Sequence, residues 1–245
     1  MNSKRKENHK PVQNEFTEKT LALSDNQGDC KVVSHDGIKI TEMTRPLLED
    51  GGESFIRFNE AISIFRKVKL FKEESFESIV STRKPFGIEA TDKIYKQFNA
   101  DFISIYAYPC SGYISKKCIR QNFEWVSQYK VFVSKAYGER GDFPYYVIGK
   151  PFIGDKDTCC TETYLVIGAN KNKKIVENIR TFMMTRFFRF FVLFKKNTQN
   201  AAKNVYSFVP MQDFSKPWTD EELYAKYKLT QEEIDFIESM IKPME

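Results

Sequence analysis

The sequence predicts an α+β fold: short-stranded mixed sheets, a long helix and a C-terminal helical pair. Three observations predict it. Between Phe102 and Ile167 lie five short runs rich in Tyr, Ile and Val, each bounded by Gly, Pro, Asn or Asp, as strands separated by turns should be. From Lys173 to about Leu193, Ile175, Ile179, Phe182, Met183, Arg186 and Phe190 trace one face at helical spacing, which marks a long helix. Thr219 with Glu222 and Thr230 with Glu233 each set a hydroxyl three residues ahead of a carboxylate. These are two capping boxes, and each opens a short helix.

The elements follow in chain order. Residues 1–24 are polar, show no period and are expected to form a flexible lead-in. Cys30–Val33 and Ile38–Ile40 are strand-like, and His35-Asp36-Gly37 supplies turn chemistry between them, so the stretch from Asp25 reads as a hairpin. After Gly51-Gly52 a helix is expected over Ser54–Leu70, with Phe55, Phe58, Ile62, Phe65 and Val68 as its apolar stripe. A second helix is expected at about Glu74–Val80, stopped by Pro85-Phe86-Gly87. The strands read as Phe102–Tyr108, Gly112–Ser115, Lys130–Ser134, Pro144–Ile148 and Thr161–Ile167, with Trp125–Tyr129 closing a short helix. Val205–Val209 reads as a returning strand, and Glu221–Tyr227 and Glu232–Ile241 as the final helices. Four regions result: a lead-in (1–24), a hairpin with a linker helix (25–70), a central strand-rich domain (71–212) and a C-terminal helical segment (213–245).

Charge is placed rather than spread. The chain has 245 residues and a formal net charge of +5. The window Lys171–Lys203 alone carries nine Lys/Arg against one acid, Glu177. Within it TRFFRFFVLFKKN (185–197) interleaves phenylalanines with Arg186, Arg189, Lys195 and Lys196. The rings want a dry core; the cations want solvent or an anion. From Met211 onward nine acids face four lysines, so a basic surface is followed by an acidic one, as in proteins that bind polyanions. The 22 Phe imply a core built on rings. Five cysteines, an odd number with no signal peptide ahead of them, favour a reduced, cytoplasmic setting. No run approaches the ~18 apolar residues that span a bilayer, so no membrane partner is expected.

Catalytic patterns are missing. Neither a GxxxxGK[ST] nor a GxGxxG loop is present. Cys159-Cys160 are adjacent, and Cys110 and Cys118 too far apart for a zinc knuckle. The two histidines, His9 and His35, sit in the N-terminal lead-in and hairpin, poorly placed to activate a cysteine. Glu89, Asp92 and Lys93 form the best carboxylate–lysine set for a metal nuclease, yet within one turn of loop they read as a solvated cluster. A binding surface remains. Arg83, Lys84, Lys116, Lys117, Arg120, Lys135, Arg140, Lys150, Arg186, Lys195 and Lys196 lie at strand ends, in loops or in the basic window, where they can neutralise phosphates. Asn197, Thr198 and Gln199 beside them carry amide and hydroxyl groups of the kind that read base edges.

Seven segments together carry a resemblance: TRPLLEDG (44–51), TRKPFG (82–87), VFVSKAYG (131–138), IGKPF (148–152), CTETYLVIG (160–168), RFFRFFVLFKKNTQ (186–199) and FVPMQDFSKPWTDEELYAKYKLTQEEIDFIESMIKPM (208–244). They resemble the C-terminal half of bacterial type II restriction-modification enzymes of the N6-adenine DNA methyltransferase class, over about Asp25 to Met244. The resemblance implies a TaqI-like specificity domain that recognises a double-stranded DNA target. It places Arg83, Lys84, Lys135, Tyr137, Lys150, Thr161, Glu162 and Lys195 to Gln199 in blocks of that domain. The family's adenine-binding NPPY-type tetrapeptide and FxGxG-like cofactor loop have no counterpart here. The expectation is therefore a truncated or split product, with the hairpin as the tail of a methylase sheet. It keeps recognition and holds no cofactor of its own. S-adenosylmethionine and catalysis would belong to a separate methylase polypeptide. The alternatives are a self-sufficient restriction endonuclease subunit and an RNA-binding or inert remnant.

Overall fold

The computed structural model describes residues 28–35, 39–49, 54–89 and 91–245. The expected lead-in, His9, the Asp36-Gly37 turn and the Gly51-Gly52 pair lie outside them. The described chain is α+β, with one two-stranded and two three-stranded sheets and six α-helices.

Strands β1 (Cys30–His35) and β2 (Ile40–Arg45) pair antiparallel from Cys30↔Arg45 to His35↔Ile40. A two-stranded ribbon is marginal alone, and a buried polar network ties this one down. Arg45, 1% exposed, donates from Nε to Asn59 Oδ1 (3.0 Å) and from Nη2 to the Ile56 carbonyl (2.6 Å). Asn59 Nδ2 donates to the Val32 and Thr41 carbonyls (3.0 and 3.1 Å). Asn59 is also the N-cap of helix α1 (Glu60–Lys69), which buries Ala61, Ile62, Ile64, Phe65 and Val68. Hairpin and helix are thus joined through one side chain.

The centre holds two sheets. In the first, β3 (Phe102–Tyr106) pairs antiparallel with β4 (Gly112–Ser115) and parallel with β7 (Thr158–Cys160). In the second, β5 (Tyr129–Ser134) is central, flanked antiparallel by β6 (Phe152–Gly154) and β8 (Tyr164–Asn170). β5 is buried on both faces: Val131 and Val133 enter the main core, while Phe132 enters a smaller core with Ile103, Ile105, Ile114, Cys159 and Cys160. Period-2 geometry makes one strand the wall between two cores.

Helices α3 (Lys173–Met184) and α4 (Arg186–Lys195) follow, then a 3₁₀ turn (Lys203–Tyr206) and helices α5 (Asp220–Lys226) and α6 (Gln231–Met240). Both capping boxes form: Thr219 with Glu222, and Thr230 with Glu233. Every residue of α4 from Phe187 to Phe194 is buried, so the helix is core on all sides. The main core draws on α1, β5, β8, α3, α4 and the C-terminal helices.

Several expected elements take another form. The long helix over Lys173–Leu193 is two helices broken at Thr185. This residue ends α3 in extended backbone and N-caps α4, its Oγ1 accepting the Phe188 N–H at 3.1 Å. No acid stands three residues on, so the cap is invisible in sequence. The carboxylate comes instead from Asp220, which accepts the N–H groups of Arg186 and Phe187 (2.9 and 2.8 Å). Glu74–Val80 tightens to a 3₁₀ turn (Phe76–Ile79), with Phe76 ringed by Phe182, Phe188, Tyr206 and Phe214. Val205–Val209 is 3₁₀ and turn, since Val205, Phe208 and Val209 enter the core at helical spacing. The helix expected at Trp125–Tyr129 is α2 (Phe123–Val126), and Tyr129 already belongs to β5.

No strand forms at Pro144–Ile148. Pro144 lacks an N–H, Tyr145 makes a lone parallel bridge to Ile241, and Val147 sits at φ 69°. The strand expected at Thr161–Ile167 starts at Tyr164 and runs to Asn170. Two strands were unmarked. β6 carries a glycine that reads as a turn signal, yet a Cβ at Gly154 would lie 2.2 Å from the Phe132 ring. β7 is only three residues long.

Candidate nucleic-acid interface

The site is built around the exit of β5. Beyond Ser134 the chain stays extended and is paired on both sides. The Lys135 N–H donates to the Thr163 carbonyl (2.9 Å). On the other flank the Ala201 N–H donates to the Lys135 carbonyl (2.7 Å) and the Tyr137 N–H to the Gln199 carbonyl (2.8 Å). Lys135-Ala136-Tyr137 is thus a bridge between the 161–163 loop and the loop leaving α4. Three sequence-predicted groups meet there: Thr161 and Glu162, Lys135 and Tyr137, and Lys196 to Gln199.

Beside this bridge opens a cleft of about 1030 Å³. One wall is the hairpin and the approach to α1, with His35, Phe55, Arg57 and Phe58. The other is the Gly138–Tyr145 loop with Lys196, Asn197, Thr198 and Gln199. Arg57, Arg140 and Lys196 give it positive charge, set against Glu139 and Asp142. Glu139 is already engaged: its Oε2 accepts the Val147 N–H at 2.9 Å. A branched residue in the left-handed region costs roughly 1–2 kcal/mol, and the carboxylate holds it there. Lys196 Nζ donates to the Tyr137 carbonyl (2.6 Å); burial lowers its pKa, partly opposed by Glu139. Burial likewise raises the Tyr137 pKa. Asn197, Thr198 and Gln199 are exposed, which leaves their side chains on the solvent side of the cleft.

Other predicted residues have different surroundings. Arg83 grips Glu162, with Nη2 to Oε2 at 2.6 Å, and this contact holds the Glu162 carboxyl below its usual range. Lys84 pairs with Glu89. Thr161 Oγ1 lies 2.8 Å from Thr163 Oγ1. Lys116 and Lys117 are exposed in a 3₁₀ turn after β4. Lys150 is exposed in a separate hollow with Tyr137, Tyr146 and Pro243. Lys195 sets its ammonium 4.9 Å from the Phe208 ring centre. Arg186 faces the C-terminal helices, 2.8 Å from Glu238, and not the cleft.

Arg189 is a structural cation. It is wholly buried and donates to four carbonyls: Thr185 (3.1 Å), Met184 (2.9 Å), Lys242 (2.7 Å) and Tyr146 (3.4 Å). It therefore closes the end of α3. Burial brings its pKa down to about 10, with Asp220 opposing.

Sequence reasoning did not single out Arg57, Phe55 and Asp142 for the cleft. Arg140, named from the sequence as a loop cation, does line it, within the glycine-bounded loop Gly138–Gly141. The carboxylate–lysine set is dispersed: Asp92 chelates Arg120 (2.6 and 2.8 Å) and is held down to about 2, first by that contact. Lys93 lies over Tyr95. Among the described residues no group of three His, Cys, Asp or Glu could hold a metal, and no helix is long and apolar enough to cross a membrane. All five cysteines are free. No family model and no curated protein matches the chain.

Proposed function

We propose that this chain binds duplex DNA in a sequence-dependent manner, as the specificity portion of an N6-adenine DNA methyltransferase with a TaqI-like recognition domain, working in the cytoplasm. One observation carries the reading. Loops far apart in sequence converge at the exit of β5, beside an open cleft with a cationic rim and an exposed Asn-Thr-Gln run. Cations supply sequence-independent phosphate affinity, and amides supply base-edge donors and acceptors. The resemblance over residues 25–244 points to the same region.

Methyl transfer belongs, on this reading, to a separate methylase polypeptide, with the adenine flipped from the duplex. S-adenosylmethionine belongs to that partner too. No glycine loop of the cofactor-cradling kind is in the sequence, and the Glu139 carboxylate on the cleft wall is committed to Val147.

Selection from a randomised duplex pool tests the proposal. A single enriched site, blurred by Asn197→Ala with Gln199→Ala, is the expected result. Enrichment of nothing, or preferential binding of RNA, overturns it. Cleavage of plasmid with magnesium would instead establish a nuclease. Heat evolved on titrating S-adenosylmethionine into the chain would overturn the division of labour.

A further inference from the structure

The outer face of the β3–β4 sheet gathers aromatic rings beside exposed lysines. Strand alternation sends Ile103, Ile105 and Ile114 into the smaller core, so Phe102, Ser104, Tyr113 and Ser115 take the opposite face. Register pairs Phe102 with Ser115 and Ser104 with Tyr113. Tyr95 extends this face by one more position, its N–H and carbonyl both bonded to Tyr113 at 2.8 Å. Tyr95 and Phe102 lie 4.7 Å apart at 31°, and Phe98 meets Tyr113 at 5.5 Å. Phe98 is 68% exposed and Tyr95 36%. Tyr95, Phe102 and Tyr113 thus share one sheet face, and Phe98 packs onto it from the loop ahead of β3.

The rim is basic. From Asp92 to Arg120 five cations stand against two acids, and Asp92 is neutralised by Arg120. Lys93 sits 5.0 Å over the Tyr95 ring. Lys96, Lys116 and Lys117 are exposed, and none pairs with a described acid. Asp101, exposed, is the remaining carboxylate.

Exposed rings on a sheet within a ring of lysines suit one chemistry. Unpaired bases stack on the rings while phosphates meet the ammonium groups. A duplex keeps its base faces covered and cannot use them. We propose that this face binds an unpaired stretch of DNA, two or three nucleotides long, as a second site apart from the cleft. The choice of DNA over RNA rests on the proposed function; the stacking chemistry does not.

The test is fluorescence anisotropy of a labelled twelve-nucleotide oligothymidine against the full chain at low salt. Phe98→Ala is expected to weaken binding by roughly 5- to 100-fold, the range for one lost stacking partner. Phe98→Tyr keeps a ring and is expected to retain affinity. Because Phe98 is largely exposed, neither variant should disturb folding. Lys96→Ala with Lys116→Ala should weaken binding and flatten its salt dependence. Lys195→Ala with Lys196→Ala should leave the oligothymidine unchanged. No binding by the parent chain, equal binding by Phe98→Ala, or tighter binding of oligouridine would overturn the proposal. If oligothymidine binds and duplex does not, the second site stands and the cleft reading falls.

Discussion

The two ends of α4 belong to one basic run and do opposite work. At its N-terminus Arg186 faces Asp220 and Glu238, and Arg189 is sealed against four carbonyls. At its C-terminus Lys196 reaches the Tyr137 carbonyl on the cleft wall, and Asn197 to Gln199 open to solvent. Density of positive charge along a sequence therefore does not locate a polyanion site. A guanidinium can spend all its donors inside the protein when helix ends leave carbonyls unsatisfied. What separates the two ends is burial: Arg189 lies in the stretch of α4 that is core on all sides, whereas Lys196 stands where the chain leaves the core.

Breaking the buried end should cost most. Arg189→Met leaves several carbonyls without donors, and a loss of about 3 kcal/mol or more is expected. That corresponds to a fall in Tm of roughly 10 °C in thermal unfolding for a chain of this size. Duplex affinity of the folded fraction should not change.

Lys130 sharpens the contrast, because it is a buried cation far from α4. It is fully enclosed and donates to the Asp155 and Thr158 carbonyls, and burial brings its pKa down to about 8. The unfolded chain therefore holds a proton there, between about pH 8 and the ordinary value of about 10.5, that the folded chain has released. Stability must rise with pH in that window and lose this gain as pH falls through 8. Against Lys130→Met, denaturant titrations should show the parent gaining on the order of 3 kcal/mol from pH 8 to 10.5. A parallel pair of pH curves would remove Lys130 as the cause.

Thr185→Ala removes the hydroxyl that caps α4 and is expected to cost about 1–2 kcal/mol in the same titrations. The smallest stability effect belongs to the open end. Asn197→Ala and Gln199→Ala should stay within about 0.5 kcal/mol of the parent. They should still alter selectivity at one base pair each, read by competition between single-base variants of the selected site.

What could be read in advance depended on how local its cause was. The capping boxes at Thr219 and Thr230 are contained in four residues each, and both formed as expected. The α4 cap was hidden because its carboxylate, Asp220, comes from 34 residues away. Gly154 signals a turn until the Phe132 ring is known to cross it. The site shows the same division. Lys196 to Gln199 could be named as candidates, yet their meeting with Lys135, Tyr137 and Thr163 is made by backbone bonds between distant segments. Arg57 and Phe55 join the cleft only because Asn59 and Arg45 pin the hairpin beside them. No spacing rule records that.

The salt dependence of duplex affinity, compared between the parent chain and Arg140→Ala with Lys196→Ala, two cations that line the cleft, tests the central claim most directly. The account predicts binding that falls steeply with salt, and a double variant weakened about 10-fold at low salt with its log–log slope reduced by about 2. Equal affinity and equal slope in the two proteins would contradict it.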